Sequence, residues 1–226
     1  MSLRVLVSGG AGGLGAAVVE AVGKAGGRAA VLDQRPPLAD VPHVLLDLAD
    51  TRAAERATAQ LAEELGGLDG AVTAAGVDRP GTLSEVPASE WERVVAVDLL
   101  ATAAVARAAL PYLERRNGTL VTVASTLGRR ALPEATAYCA AKFGVVGFSR
   151  ALAAELAGRV GVTLLLPGGM RTGFFDGRTE QYRPGPDAML NDPADVAAAV
   201  LFALRQPAGC AVRELVICPA EEPSYP

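Results

Sequence analysis

The chain has 226 residues, half of them hydrophobic, with 21 Lys and Arg against 25 Asp and Glu and a formal net charge of −4. That is the length of one domain with a substantial core, and its mildly acidic balance lacks the positive field that a nucleic-acid partner rewards. The 25 glycines and 15 prolines follow no collagen-like or low-complexity pattern, and a charged fraction of 20% is that of a folded protein. Small-molecule chemistry is the expectation that remains.

The longest uncharged run, Val5 to Val19, is broken by Gly9, Gly10, Gly12, Gly13 and Gly15, so no membrane span is expected. The first ten residues, MSLRVLVSGG, have no basic region followed by an apolar stretch and a cleavage site, and do not read as a signal peptide. Cys139, Cys210 and Cys218 form no CxxC pair, and His43 is the one histidine. No metal site is expected, and the cysteines read as reduced packing residues of a cytoplasmic protein. A Ser-His-Asp hydrolase is disfavoured for the same reason, because His43 heads an apolar run.

Taken in chain order, short apolar runs of β type alternate with longer Ala-rich stretches of helical period. The runs are Leu3–Ser8, Arg28–Asp33, His43–Leu46, Asp69–Ala74, Thr119–Ser125, Val160–Leu166 and Arg213–Cys218. Between them lie predicted helices at Leu14–Ala25, Thr51–Leu65, Ala88–Arg116, Ala135–Ala157 and Pro193–Arg205. Almost continuous apolarity marks strands covered on both faces. Asp192 followed by Pro193 is a helix start signal. The alternation predicts an α/β fold, a doubly wound parallel sheet of about seven strands with helices on both faces, as a single domain over residues 1–226. The stretch Gly168–Asn191 breaks the rhythm and is expected to be a substrate loop.

The first strand runs into Ser8-Gly9-Gly10-Ala11-Gly12-Gly13-Leu14-Gly15 and then directly into a helix. Glycines there let the backbone turn sharply and approach a pyrophosphate held by helix N–H groups. The residues fit both GxGxxG, on Gly10, Gly12 and Gly15, and GxxxGxG, on Gly9, Gly13 and Gly15. Asp33 ends the second strand eighteen residues after Gly15, where a carboxylate accepts hydrogen bonds from ribose hydroxyls and repels a 2′-phosphate. This favours NAD over NADP, with Arg35 as the residue that argues the other way. Asp47, beside Leu48, is placed to hold the adenine amino group.

Tyr138 and Lys142 are four residues apart on a predicted helix and share a face. A phenol titrates far above neutrality unless a cation stabilises its anion, and Lys142 is such a cation. Ser125 ends the fifth strand thirteen residues before Tyr138, at the sheet end where doubly wound folds place ligands.

In these motifs the sequence resembles the classical short-chain dehydrogenases/reductases. Gly9, Gly13 and Gly15 match that family's GxxxGxG loop, Ser125, Tyr138 and Lys142 match its serine and YxxxK elements, and Pro167-Gly168-Gly169-Met170-Arg171-Thr172 looks like its PGxxxT segment. The resemblance spans Leu3 to Cys218. It implies that a nicotinamide cofactor lies along Gly9, Gly13, Leu14 and Gly15, then Asp33, Asp47 and Leu48, then Ala75 and Gly76. Pro167, Gly168, Met170 and Thr172, with Tyr138 and Lys142, complete the nicotinamide end. It also implies a reaction: Tyr138 as general acid/base between a secondary alcohol and a ketone, Lys142 lowering its pKa, and Ser125 holding the substrate oxygen.

Three departures stand out. Ser8 replaces the usual Thr, Thr73-Ala74-Ala75-Gly76 replaces NNAG, and Asp98 stands where an asparagine is expected. In the family that asparagine's main-chain carbonyl holds a water linked to the lysine. Asp98 keeps a backbone to do so but brings a negative charge towards Lys142, with a pH effect on oxidation as the expected consequence. The Ala-rich helices Ala88–Arg116 and Ala135–Ala157 imply, by resemblance, a homodimer or homotetramer. The substrate wall expected from Asp78–Leu83, Thr126–Glu134 and Gly173–Met189 offers Phe174, Phe175 and Tyr182 with Arg79, Arg129, Arg130, Arg178 and Arg183, a mixed set suited to a ketone carrying an anionic or thioester-linked group. The alternative function, a dinucleotide-binding regulator without catalysis, would be marked by loss of the tyrosine or lysine, and both are present.

Overall fold

A computed structural model describes residues 2–221. Seven strands form one sheet: β1 (Arg4–Ser8), β2 (Arg28–Asp33), β3 (His43–Leu45), β4 (Gly70–Thr73), β5 (Thr119–Val123), β6 (Gly161–Pro167) and β7 (Glu214–Ile217). Their spatial order is β3-β2-β1-β4-β5-β6-β7, and every pairing is parallel. The order reverses between β1 and β4, the crevice where open α/β sheets bind ligands.

Helices cover both faces: α1 (Gly13–Lys24), α2 (Thr51–Leu65), α3 (Ala88–Val95), α4 (Ala101–Glu114), α5 (Thr136–Glu155) and α6 (Pro193–Leu204). Successive strand residues point to opposite faces. Leu6, Leu32 and Leu120 therefore pack with Leu61 and Leu65 of α2 and Leu113 of α4. Val5, Val7 and Val31 pack on the other side with Val18 and Val22 of α1 and Val196 and Val200 of α6. Each such side chain, fully buried, contributes about 1.5–3 kcal/mol relative to exposure, which is why both faces of the sheet are kept apolar.

Local chemistry sets the helix ends. Asp50 accepts from the N–H groups of Arg52 and Ala53 to start α2, and Gly66 ends it in the left-handed conformation at φ 75°. Asp192 caps α6 through the Ala194 N–H, with Pro193 in the first turn, as the sequence indicates. By contrast α1 starts at Gly12 with no side-chain cap, which leaves its first N–H groups to a ligand.

Two sequence expectations are refined. The predicted helix Ala88–Arg116 is divided: between α3 and α4 the chain makes a π-helical turn, Ala96–Leu100, a device often found at functional sites. The Ala88–Glu114 stretch is long and apolar enough to cross a membrane, but half of its apolar window is buried within this fold, and α4 packs against α2 and the sheet. The stretch after β6 carries two short 3₁₀ turns, Gly173–Phe175 and Glu180–Tyr182, and a bridge from Met170 to Asn191.

Candidate active site

One cavity of about 1000 Å³ runs along the C-terminal ends of β1, β2, β4, β5 and β6. Its wall includes Gly9, Gly13, Leu14, Asp33, Asp47, Leu48, Ala75 and Gly76 at one end. Ser125, Tyr138, Lys142, Pro167, Gly168, Met170 and Thr172 line the other. Gly15, at the start of α1, does not face the cavity directly; it lets the loop close, since a Cβ there would lie 2.1 Å from the Gly9 carbonyl oxygen. Gly9 itself has φ +76°, and a Cβ on it would lie 2.6 Å from the Ala75 backbone. The loop after β1 and the segment after β4 thus touch without side chains between them.

The uncapped start of α1 and this side-chain-free cradle fit the pyrophosphate of a dinucleotide. Asp33, the residue expected at the ribose end, is fixed in place: its Oδ2 accepts from Ala11 N–H at 3.0 Å and its Oδ1 from Arg35 N–H at 3.1 Å. The Arg35 guanidinium lies beside Gly12, with Nη2 3.1 Å from the Cβ position. Asp47, the residue expected to hold the adenine amino group, lines the cavity and is itself held by protein donors. Its Oδ2 accepts from Arg93 Nη1 at 2.8 Å and its Oδ1 from Ala49 N–H at 3.0 Å, and the Arg93 hydrogen bond holds its carboxyl below the usual carboxylate range. Arg93, on α3, lines the cavity beside it; nothing in the local sequence marks it, because its partner is 46 residues away.

At the other end, Ser125 leaves β5 and its Oγ accepts from Leu127 N–H at 3.1 Å, fixing the hydroxyl at the mouth of the strand. Tyr138 and Lys142 lie one turn apart on α5, with Lys142 Nζ 5.3 Å from the centre of the Tyr138 ring. Lys142 is buried; its Nζ donates to Val123 O at 3.2 Å and lies 3.1 Å from Asp98 Oδ2. Asp98 is fully buried in the π-helical turn, and its Oδ1 accepts from Val77 N–H at 2.8 Å. Its main-chain carbonyl, assigned to a water by the resemblance, accepts the Thr102 hydroxyl at 2.9 Å.

The electrostatics follow. Burial pushes the Tyr138 phenol above its ordinary value; Lys142 and the Ser125 hydroxyl oppose this, and Asp98 adds to it. For Lys142, burial works against the charged form, but the Asp98 carboxylate and the Tyr138 oxygen outweigh it and hold the ammonium up. Gly76 makes room for the pair, since a Cβ there would lie 3.2 Å from Asp98 Oδ2 and 3.6 Å from Lys142 Nζ.

The segment after β6 covers this end. The Phe174 ring lies 5.7 Å from Tyr138. Arg178 stacks over both Phe174 and Phe175, at 5.0 and 4.6 Å, while its Nη2 donates to Asp78 Oδ2 at 2.6 Å. Of the five arginines expected on the substrate wall, Arg178 and Arg183 line the cavity, whereas Arg129 pairs with Glu214. The Arg178 guanidinium is neutralised by Asp78, so it does not present a free cationic receptor. That pairing was invisible in the sequence.

A doubly wound sheet with a glycine cradle at its switch point, and Ser125, Tyr138 and Lys142 on the same cavity, fits a dinucleotide-binding oxidoreductase. The family model described as short chain dehydrogenase matches residues 4–183, and the chain belongs to that family, whose members bind NAD(P). Among curated relatives it is 31% identical to 2-(S)-hydroxypropyl-CoM dehydrogenase 3 of Xanthobacter autotrophicus, over 88% of each chain. It is 32% identical to glycine betaine reductase of Emericella nidulans over 96% of this chain, which spans only 19% of that longer protein. An alcohol dehydrogenase of Thermococcus sibiricus, solved with 5-hydroxy-NADP, shares the fold with a TM-score of 0.85 at 22% identity, covering 96% of both chains.

Proposed function

We propose that this protein interconverts a secondary alcohol and a ketone, with NAD preferred to NADP, and that Tyr138 is its general acid/base. The observation that carries the reading is the convergence of Ser125, Tyr138 and Lys142 on the same cavity that reaches the glycine loop and Asp33. A nicotinamide dinucleotide, when bound, supplies or accepts the hydride. Gly9, Gly13, Leu14 and the start of α1 hold its phosphates, Asp33 its ribose, and Leu48, Ala75 and Gly76 flank its adenine side. Pro167, Gly168, Met170 and Thr172 hold its reactive end. As the carbonyl carbon gains hydride, the Tyr138 phenol gives its proton to the carbonyl oxygen, and in the other direction it takes the proton of the alcohol. Ser125 donates to the same oxygen and fixes its position. The segment 168–191 forms the substrate lid, with Phe174 closing on Tyr138. The fixed Asp33 carboxylate supports NAD, because it would repel a 2′-phosphate.

The test is oxidation of NADH and NADPH by the purified protein over aldehydes, cyclic ketones, β-keto esters, acyl thioesters and quinones, with Tyr138→Phe alongside. Turnover with NADH that disappears in Tyr138→Phe supports the reading. Turnover that survives the substitution overturns the role of Tyr138, and preference for NADPH shows that Arg35 outweighs Asp33. The exposed Leu100 and Phe143, at the junction with α4 and on α5, support assembly into a homo-oligomer, as expected of a cytoplasmic member of this family. A monomer mass in solution scattering would exclude it.

A further inference from the structure

Lys142 and Arg178, at the reacting end of the cavity, are each paired with a carboxylate that is almost wholly buried. Arg178 is paired with Asp78 at 2.6 Å and Lys142 with Asp98 at 3.1 Å. The second pair bears on the proton that Tyr138 carries. Asp98 is fully buried, on a π-helical turn that brings its side chain to Lys142, and Val77 N–H donates to its other oxygen. An ammonium in this setting serves two anions. The more it is satisfied by Asp98 on one side, the less it stabilises a phenolate on the other.

We propose that Asp98 is a positioning residue that keeps the Tyr138 phenol protonated by pairing with Lys142, and so equips the site to deliver a proton to a carbonyl, as a reductase, far into the alkaline range. This rests on the reading of Tyr138 as the acid/base and deepens it. The groups that act on the phenol are few: Lys142 from its own helix, Asp98 from the π-helical turn and Ser125 from the end of β5. Asp78 acts from the segment after β4, its charge matched by Arg178 of the lid. Asp98 is the carboxylate that touches the lysine, and Asp78 is occupied elsewhere. The step itself is balanced. The Tyr138 O–H bond breaks as the proton passes to the carbonyl oxygen, hydride from the reduced dinucleotide forms the new C–H bond, and the phenolate left behind recovers its proton from water. A high phenol pKa keeps the donor loaded at alkaline pH in that direction and withholds the base in the other.

The experiment compares the wild type with Asp98→Asn, which keeps an oxygen for Val77 N–H and removes the charge. The expected result is that the acid limb of alcohol oxidation and the alkaline limb of carbonyl reduction both move to lower pH in the variant, by about one pH unit or more. In the cofactor-free protein, NMR of tyrosine labelled at Cζ follows the Tyr138 ionisation directly, assigned with Tyr138→Phe. The resonance is expected to titrate above the ordinary tyrosine range in the wild type and lower in Asp98→Asn. Limbs that stay in place while activity falls would show a merely structural role and overturn the proposal, as would limbs that move to higher pH. If Asp98→Asn does not fold, ionisation of Tyr138 in the wild type at or below the ordinary tyrosine range overturns the proposal. Absence of any turnover would count against the proposed function, while the NMR titration would still judge Asp98.

Discussion

Arg178 Nη2 donates to Asp78 Oδ2 across 2.6 Å and so joins two residues one hundred positions apart. The contact fastens the segment after β6 to the segment after β4, directly over Tyr138, with Phe174 and Phe175 against the guanidinium. Removing one member of a buried pair leaves the other charge uncompensated, which costs up to about 3 kcal/mol for a pair this enclosed. Asp78→Asn is therefore expected to loosen the lid rather than the fold. The measurable outcome is a KM raised about tenfold, equivalent to roughly 1.4 kcal/mol, with kcat changed much less and faster tryptic cleavage after Arg178, which Thr179 follows. An unchanged KM and cleavage rate would show that the pair does not hold the lid.

Gly15→Ala tests the glycine cradle. Its Cβ would fall 2.1 Å from the Gly9 carbonyl oxygen, which backbone cannot accommodate without moving. The loop is expected to open, costing about 1–3 kcal/mol of stability in urea unfolding, and dinucleotide binding measured by calorimetry is expected to vanish. Binding at wild-type affinity would place the cofactor elsewhere.

At the adenine end, the Arg93–Asp47 pair is partly exposed, with side chains 38% and 45% accessible, so its value to stability is a few tenths of a kcal/mol at most. Its value to binding is expected to be larger, because both residues line the cavity. Arg93→Ala should weaken dinucleotide binding several-fold and leave the unfolding midpoint unchanged. The Asp47 carboxyl is held low by Arg93, so its small contribution is complete above the ordinary carboxylate value and is lost as pH falls through the depressed one. Dinucleotide affinity in the wild type is accordingly expected to hold steady down to about pH 4 and to fall below it. A decline beginning near neutrality would contradict this.

Thr102 supports the π-helical turn through its bond to the Asp98 carbonyl. Thr102→Val removes this donor at nearly constant shape, and the loss of one buried hydrogen bond costs about 0.5–1.5 kcal/mol. Chemical denaturation should read that loss, and the pH limbs of turnover should move in the same direction as in Asp98→Asn if the turn relaxes and draws the carboxylate away from Lys142. Loss of stability with limbs unmoved would separate the turn from the chemistry.

What the sequence determined by itself is what local patterns encode. Strand apolarity at β1 through β6, the Asp192-Pro193 start of α6, the glycines after β1, and the four-residue step from Tyr138 to Lys142 all depend on neighbours in the chain, so their order and the parallel sheet could be read directly. The tertiary structure decided which distant charges meet. Asp98 reaches Lys142 because a π-helical turn interrupts a run that reads as one continuous helix, and no residue in that run announces the interruption. Arg178 meets Asp78, and Arg93 meets Asp47, because the parallel sheet gathers the segments that follow its strands at one end, where the segment after β6 reaches the one after β4 and α3 reaches the one after β3. Each pairing joins segments whose separation in sequence carries no information about their separation in space. For that reason the Tyr138–Lys142 pair was legible in the chain, while the carboxylate beside Lys142 was visible only as a departure from pattern until the fold brought the two within 3.1 Å.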